Sequence, residues 1–293
     1  MFRVSRPEFS AVLKQLCDHL ALKGCVETTQ ITYSRSLCDL MESTGKVPLD
    51  CTEQDIIAHL VKLRDERNLS SSALNGRICG IRYYYREVLH RLDIIVGLPN
   101  PRRARLVGDI LDSAEIAQLL DGTRSITHLA ILHLLFDTGL RAREVAGLCM
   151  GDFDAKAGTL TVRHGKGGKH RVVPYGQQAR ETLLELFRQE KPTGALFIGV
   201  TTGTPFTVRG VQYAVARARK RSGLKKDVHP HTLRHSFAVH YLNNGGSLLR
   251  LQQLLGHAHI STTLVYLKYA SIPLREVNTP LDMLVGKSRP PKA

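Results

Sequence analysis

This 293-residue chain has no pair of cysteines two residues apart, no HExxH run, no internal repeat and no long apolar stretch. Each absence removes a class of protein. Its six cysteines (Cys17, Cys25, Cys38, Cys51, Cys79 and Cys149) form no CxxC, so a zinc ribbon or a thioredoxin-type redox motif is not indicated. Five of them fall in a segment that reads as helical, which fits reduced thiols better than disulfides. No stretch approaches the ~18 apolar residues that a membrane span needs. The opening MFRVSRPEFS has no apolar run, so it does not read as a secretory leader. A cytoplasmic location is expected. At 43% apolar and 23% charged residues the composition is that of a globular protein, and the length suggests two domains.

Charge is abundant and uneven. The formal net charge is +15. Residues 1–97 are nearly balanced, with 13 Lys and Arg against 12 Asp and Glu, whereas residues 98–293 carry 28 against 14. A basic domain of this size suits a polyanion such as nucleic acid.

The first 97 residues read as four amphipathic helices. Phe9, Val12, Leu13, Leu16 and Leu20 share a face of the first, and the second spans roughly 28–43 with Ile31, Leu37, Leu40 and Met41. Thr52 followed by Asp55 looks like a capping box opening the third. The fourth places Leu74, Ile78, Ile81, Tyr85 and Val88 inward, which leaves Arg77, Arg82 and Arg86 to face out. Four such helices make a small bundle. Residues 98–109, LPNPRRARLVGD, lack periodicity and read as a linker whose arginines, Arg103 among them, suit a phosphate backbone.

The second domain, 110–293, opens with a helix capped by Asp112 or Ser113. ITHLAILHLLFDTGL is apolar enough to be a core helix. TLTVRHGKGGKHRVVPY alternates on both sides of a glycine-rich, lysine-bearing turn and reads as a β-hairpin. Further helices follow, one of them rich in arginine over 209–221, and an amphipathic stretch at 273–285 precedes a basic tail.

Four motifs then stand in order: TGLRAREV (138–145), HGKGGKHRVV (164–173), HPHTLRH (229–235) and LGHAHISTTLVY (255–266). Each is weak alone. Together, with a tyrosine nine residues after the LGH histidine, they resemble the tyrosine recombinase (phage integrase) family, especially its compact Xer-like members. The resemblance spans nearly the whole chain. It implies a mainly α fold: an N-terminal four-helix, SAM-like core-binding domain, then a mixed α+β catalytic domain with a small antiparallel hairpin or sheet.

The resemblance also assigns residues. The arginine of TGLR is Arg141, the hairpin lysine Lys166, the H-x-x-R pair His231 and Arg234, the LGH histidine His257, and the nucleophile Tyr266. Glu144, one turn after Arg141, is placed to orient it. No catalytic position is substituted. Arg143 stands where small or polar residues are usual. The implied partners are double-stranded DNA and three further copies of the chain in a tetramer on that DNA. No metal or other cofactor is implied.

The chemistry is consistent with that assignment. In-line attack on a phosphodiester places negative charge on its non-bridging oxygens. Forked, permanently charged guanidiniums at Arg141 and Arg234 suit those oxygens better than lysines. The Tyr266 phenol must lose its proton as it attacks. His231 is the candidate base or a phosphate hydrogen-bond partner, and His257 a second phosphate donor. Lys166 is the candidate acid for the departing 5′ oxygen. Arg77, Arg82, Arg103, Lys169, Arg171, Arg209 and Arg217 are candidates for DNA contact.

Other readings stand beside these. His231 and His235 share a helix face and could hold a metal, but no HExxH glutamate or CxxC accompanies them. His235 therefore reads as a packing or supporting histidine. Tyr269 is a local rival to Tyr266, off the nine-residue spacing. A type IB topoisomerase-like nicking–closing enzyme shares the chemistry, and a non-catalytic DNA-binding module could share the fold.

Overall fold

The computed structural model describes residues 5–99, 109–163, 170–199 and 202–271. The chain divides into two compact units, Met1–Ala104 and Arg105–Ala293. Among the described residues no helix is long and apolar enough to cross a membrane.

The first unit is built from α1 (Pro7–Leu22), α2 (Glu27–Thr44), α3 (Glu53–Asp65) and α4 (Ser71–Tyr83). Its core is the apolar face read from periodicity: Phe9, Leu13, Leu16 and Leu20 from α1, Leu37, Leu40 and Met41 from α2, Ile56 and Leu60 from α3, and Ile78 and Ile81 from α4. α3 opens on the expected capping box. Thr52 Oγ1 accepts the Asp55 amide at 3.2 Å, and the Asp55 carboxylate accepts the Thr52 amide at 2.9 Å. α4 runs on into a π turn, Tyr84–Val88. The wider turn brings two consecutive tyrosines inward where an α-helix would turn one away. Tyr85 donates to the Pro48 carbonyl at 2.6 Å, and Tyr84 to Gln15 Oε1 at 2.8 Å.

Two arginines of α4 correct the sequence reading. Arg77 does not face out: it is 17% exposed and lies 3.1 Å from the Asp39 carboxylate of α2. Arg82 donates to the carbonyl of Leu98, itself a buried core residue, so the bundle extends past 97. Periodicity placed both on the outward side, and nothing local showed that Asp39 of α2 and the Leu98 carbonyl offered them acceptors. Arg86 is exposed and pairs with Glu87 at 2.7 Å.

The second unit begins with α5 (Ser113–Asp121), where Asp112 and Glu115 close a second capping box. α6 (Ile126–Thr138) buries Ala130, Ile131, Leu132, Leu134 and Leu135 and is apolar nearly all round, as a central helix must be. α7 (Ala142–Ala146) is one short turn. Three antiparallel strands follow: β1 (Phe153–Asp154), β2 (Thr159–Val162) and β3 (Arg171–Pro174), in the order β1-β2-β3. The β2–β3 hairpin pairs Leu160 with Val173 and Val162 with Arg171. Leu160, Val162 and Val173 all enter the core, as the alternation predicts. β1 is a two-residue edge strand, too short to leave a sequence signal.

Among the described residues four helices follow: α8 (Gln177–Glu190), α9 (Val208–Ser222), α10 (Pro230–Asn243) and α11 (Leu248–Leu255). Two 3-10 turns follow, Ile260–Thr262 and Leu264–Lys268. α6, α8, α9 and α10 pack around the main core, while α10, α11 and the last turn enclose a second cluster of Ala238, Val239, Leu242, Leu251, Leu255 and Tyr266. The hairpin tip with Lys166 and Lys169, the linker arginine Arg103 and the 273–285 segment lie outside the described residues.

Candidate active site

Two glycines make the chain reversals that position the site's arginines. Gly139 closes α6 with φ +64°, and a side chain there would run into the Phe237 ring. This left-handed residue turns the TGLR motif so that Arg141 becomes the N-cap of α7. Gly256 closes α11 with φ +63° and lies against the Arg171 guanidinium, 3.1 Å from where a Cβ would sit.

Glu144 lies at the centre of the positive groups, its side chain 3% exposed. Its carboxylate accepts the Arg141 amide at 2.8 Å and the Arg141 guanidinium at 3.1 Å. On the other side Arg171 gives it two parallel hydrogen bonds of 2.8 Å and donates a third to the Leu254 carbonyl at 2.8 Å. Burial alone would raise the Glu144 carboxyl. The hydrogen bonds from Arg171 and Arg141 outweigh that and hold it below the usual carboxylate value. Glu144 thus touches Arg141 as its spacing suggested. Arg171, read as a DNA contact, instead braces this carboxylate with a side chain 12% exposed.

Arg234 comes from the opposite side, on α10. His229 caps that helix by accepting the Thr232 amide at 3.2 Å, and Pro230 starts it. Arg234 is 2% exposed and donates to the Gly139 carbonyl at 2.6 Å, the Leu255 carbonyl at 2.7 Å and His257 Nε2 at 3.0 Å. Burial, and then the nearby Arg141, pull its guanidinium down to about 10, still cationic at neutral pH.

A guanidinium nitrogen only donates, so His257 Nε2 accepts and its Nδ1–H points to Thr263 Oγ1 at 2.9 Å. Burial and the neighbouring Arg234, Arg141 and Arg171 push His257 down to about 4, which keeps it neutral. The donor expected of His257 is therefore engaged with Thr263, while Nε2 accepts from Arg234 and supports that arginine. Thr263, fully buried, was missed, because a threonine among the small polar residues of HISTT carries no sign of its partner.

Tyr266 is 4% exposed, its ring packed in the second cluster. Its hydroxyl lies 2.9 Å from His235 Nδ1. Burial raises the phenol above its ordinary value, and the Arg234 and Arg141 charges oppose that. The ring is flanked by His257, nearly parallel at 6.4 Å, and by His235 at 5.6 Å. His231 is exposed and lies over His235, with ring centroids 6.2 Å apart. Partial desolvation, with Arg234, His229 and Arg141 near, holds His231 below its ordinary value. Tyr269 is a packing residue of the second cluster.

Arg141, Glu144, His231, Arg234, His257 and Tyr266 thus come together, and His235 joins them. On α9, Arg209 and Arg217 are exposed, and Arg217 donates to the Tyr213 hydroxyl at 2.9 Å. Among the described residues no group of three or more His, Cys, Asp or Glu side chains is placed to hold a metal ion.

The arrangement sets two guanidiniums beside a buried phenol, a combination suited to binding an anion next to a hydroxyl. Comparison with known proteins agrees. Residues 109–271 match the phage integrase family and residues 12–93 the N-terminal SAM-like domain of phage integrases. Tyrosine recombinase XerC of Azotobacter vinelandii is 41% identical over 273 residues, covering 87% of this chain and 90% of that one. Tyrosine recombinase XerD of Ralstonia nicotianae is 31% identical, covering 93% and 94%. In fold, the chain is similar to a lambda integrase dimer bound to a COC′ core site, with TM-score 0.74 and 21% identity over 92% of this chain and 98% of that one. It is also similar to a lambda integrase tetramer bound to a Holliday junction, with TM-score 0.72 and 21% identity, over 86% and 78%. The chain belongs to the phage integrase family, as a Xer-like tyrosine recombinase.

Proposed function

We propose that this enzyme cuts and rejoins double-stranded DNA at specific sites, with Tyr266 forming a 3′-phosphotyrosyl link and strands exchanged through a Holliday junction. Arg141 and Arg234 hold the non-bridging oxygens of the scissile phosphate, and Glu144, braced by Arg171, fixes Arg141. His231, exposed on the rim, hydrogen-bonds the phosphate. Lys166 protonates the 5′ oxygen as it leaves. The phosphotyrosyl bond retains the energy of the broken one, so an incoming 5′ hydroxyl reverses the step without ATP. Four copies act on two duplexes, a reading that the likeness to a lambda integrase tetramer bound to a Holliday junction supports. Six free thiols in the described chain accord with action in the cytoplasm.

The observation that carries this reading is the buried Arg234, held by the Gly139 and Leu255 carbonyls and by His257, whose charge together with that of Arg141 is near enough to oppose the rise that burial imposes on the Tyr266 phenol. Fixed charge of this kind is commonly the largest catalytic term. A monomeric topoisomerase would share this centre, but both relatives above carry recombinase names.

The test uses Tyr266→Phe, which deletes only the hydroxyl. Wild-type enzyme incubated with cellular DNA is expected to trap short duplexes covalently, and sequencing them gives the target. On a nicked duplex of that sequence the wild type should give a shifted protein band and the variant none, with DNA affinity unchanged. A band that survives in the variant rules out Tyr266 as nucleophile.

A further inference from the structure

The family resemblance makes His257 a hydrogen-bond donor to the scissile phosphate, yet its Nε2 accepts from Arg234 at 3.0 Å. We propose that Thr263 is the positioning residue that lets His257 pass from one role to the other, its hydroxyl accepting from Nδ1 before DNA binds and donating to Nδ1 once the phosphate is in place; this rests on the recombinase reading above.

The directions in the free enzyme follow from one fixed partner. A guanidinium has no acceptor, so Arg234 donates and Nε2 carries no hydrogen. Burial, with Arg234, Arg141, Arg171 and His235 near, drives His257 down to about 4, so the ring is neutral and holds a single N–H. That hydrogen is on Nδ1 and meets Thr263 Oγ1 at 2.9 Å. The ring reaches the site from a fixed point. The His257 amide donates to the Gln252 carbonyl at 3.1 Å, and Gln252 Nε2 donates to the His257 carbonyl at 3.1 Å.

Thr263 belongs to the same short segment as the nucleophile. It is fully buried, its carbonyl accepts the Tyr266 amide at 3.1 Å, and it is the N-cap of the 3-10 turn Leu264–Lys268. Thr262, beside it, is exposed. What matters at this position is a group that can both accept and donate. A carbonyl or carboxylate would lock the hydrogen of His257 on Nδ1, and a cation would lock it on Nε2. A hydroxyl serves either form of the ring.

A phosphodiester changes what the site needs, because its oxygens only accept. It takes the Arg234 N–H that His257 now receives. It takes a second hydrogen bond from His257 only if Nε2 carries a hydrogen. The ring gives one proton to water at Nδ1 and takes one from water at Nε2, so the charge of the site does not change. Thr263 then turns its own hydrogen to the vacated Nδ1. Without the hydroxyl, Nδ1 has no partner there in either state.

The test follows the single-turnover rate of covalent attachment on the nicked duplex recovered above. Thr263→Val replaces the hydroxyl with a methyl group of similar size. Its rate should fall about tenfold, the rate equivalent of one net hydrogen bond. Thr263→Ser keeps the hydroxyl and should restore the rate, and Thr262→Val should match wild type. In a His257→Ala background, Thr263→Val should cost no further rate, because Thr263 acts through that ring. Melting temperature and DNA affinity are measured alongside. Nitrogen-15 spectra of the histidine rings read the hydrogen directly. His257, assigned by the signals lost in His257→Ala, should carry it on Nδ1 in the free wild type and on Nε2 in the complex of Tyr266→Phe with the duplex.

A Thr263→Val rate equal to that of wild type would overturn the assignment. So would an equal loss in the His257→Ala background, which would make Thr263 a structural residue only. A hydrogen that stays on Nδ1 with DNA bound would overturn it too. If Thr263→Val fails to fold, Thr263→Ala is read in both backgrounds on the same criteria, and the spectra decide without either variant. These outcomes leave the wild-type covalent band intact and sink this inference alone, whereas a wild type that forms no band overturns the recombinase reading and the inference with it.

Discussion

The two units of this chain treat buried charge in opposite ways. In the helical unit, Asp39 takes the half-buried Arg77 at 3.1 Å and the exposed Arg67 at 3.7 Å, so the positive charge of Arg77 is cancelled where it sits. In the catalytic unit, Arg141 and Arg171 share the single carboxylate of Glu144, and Arg234, buried beside them, has only carbonyls and a neutral histidine for partners. The first arrangement completes a core. The second leaves fixed positive charge unspent at one spot, and a structure tolerates that only where an anion is to bind. Surplus charge, more than burial, distinguishes the functional arginines from the structural ones.

The sharpest challenge to this contrast is Glu144→Gln. It keeps the shape and removes the charge that two guanidiniums share. Breaking a buried ion pair by removing one partner costs about 3–5 kcal/mol, so the denaturation midpoint should fall by the corresponding amount. The pH dependence is a second check. Glu144 titrates lower in the folded protein than when unfolded. Its stabilisation is therefore complete above the ordinary carboxylate range and is lost as pH falls through the depressed value. The wild type should carry that acid loss and the variant should lack it. A variant as stable as wild type would mean the two arginines do not depend on this carboxylate.

The same contrast explains what the sequence made legible. The helical bundle, the Thr52–Asp55 capping box, the cap at Asp112, the central α6 and the alternation of β2 and β3 follow from apolar spacing and capping residues, which are local. The four motifs stood out because each is contiguous: TGLR and the three residues after it hold a left-handed turn, an N-cap and its glutamate together. Partners distant in sequence were not. Arg171 finds Glu144 27 positions away, His235 finds Tyr266 31 away, and Arg82 finds the Leu98 carbonyl 16 away. A sequence shows that an arginine is half-buried more readily than it shows what accepts its hydrogen bonds. His235 had one available sign, the four-residue spacing from His231, which put both rings on one helix face.

A smaller effect sharpens the comparison from the helical side. His59 of α3 is buried, and that burial drives it down to about 4. Asp39 partly counters the effect, while Arg67 and Arg77 add to it. Unfolded, the ring would titrate near 6.5. The folded state therefore gains stability that is complete above about pH 6.5 and is lost as pH falls toward 4, roughly 2 kcal/mol of it by pH 5. Melting of the full-length protein from pH 7.5 to 5 should show this decline in the wild type, and His59→Phe should flatten it. Equal slopes would mean that His59 is not excluded from water as its burial requires.

The smallest effects belong to single arginines, and here the two units should part. Arg77→Ala removes the nearer and more buried of the two arginines that pair with Asp39, so it should cost about 1–3 kcal/mol of stability. Because its guanidinium is engaged with Asp39, it should leave the salt dependence of DNA binding alone. Arg209→Ala changes an exposed residue at the start of α9, so stability should move by less than about 0.5 kcal/mol. If Arg209 meets a DNA phosphate, binding should weaken similarly on all sequences, and the slope of log affinity against log salt should drop by about one. Both quantities come from one titration series at several salt concentrations with parallel melts. If Arg77→Ala lowered the salt slope and kept its stability, the charge read here as cancelled would be free for DNA, and the division between structural and functional arginines would fail at its simplest case.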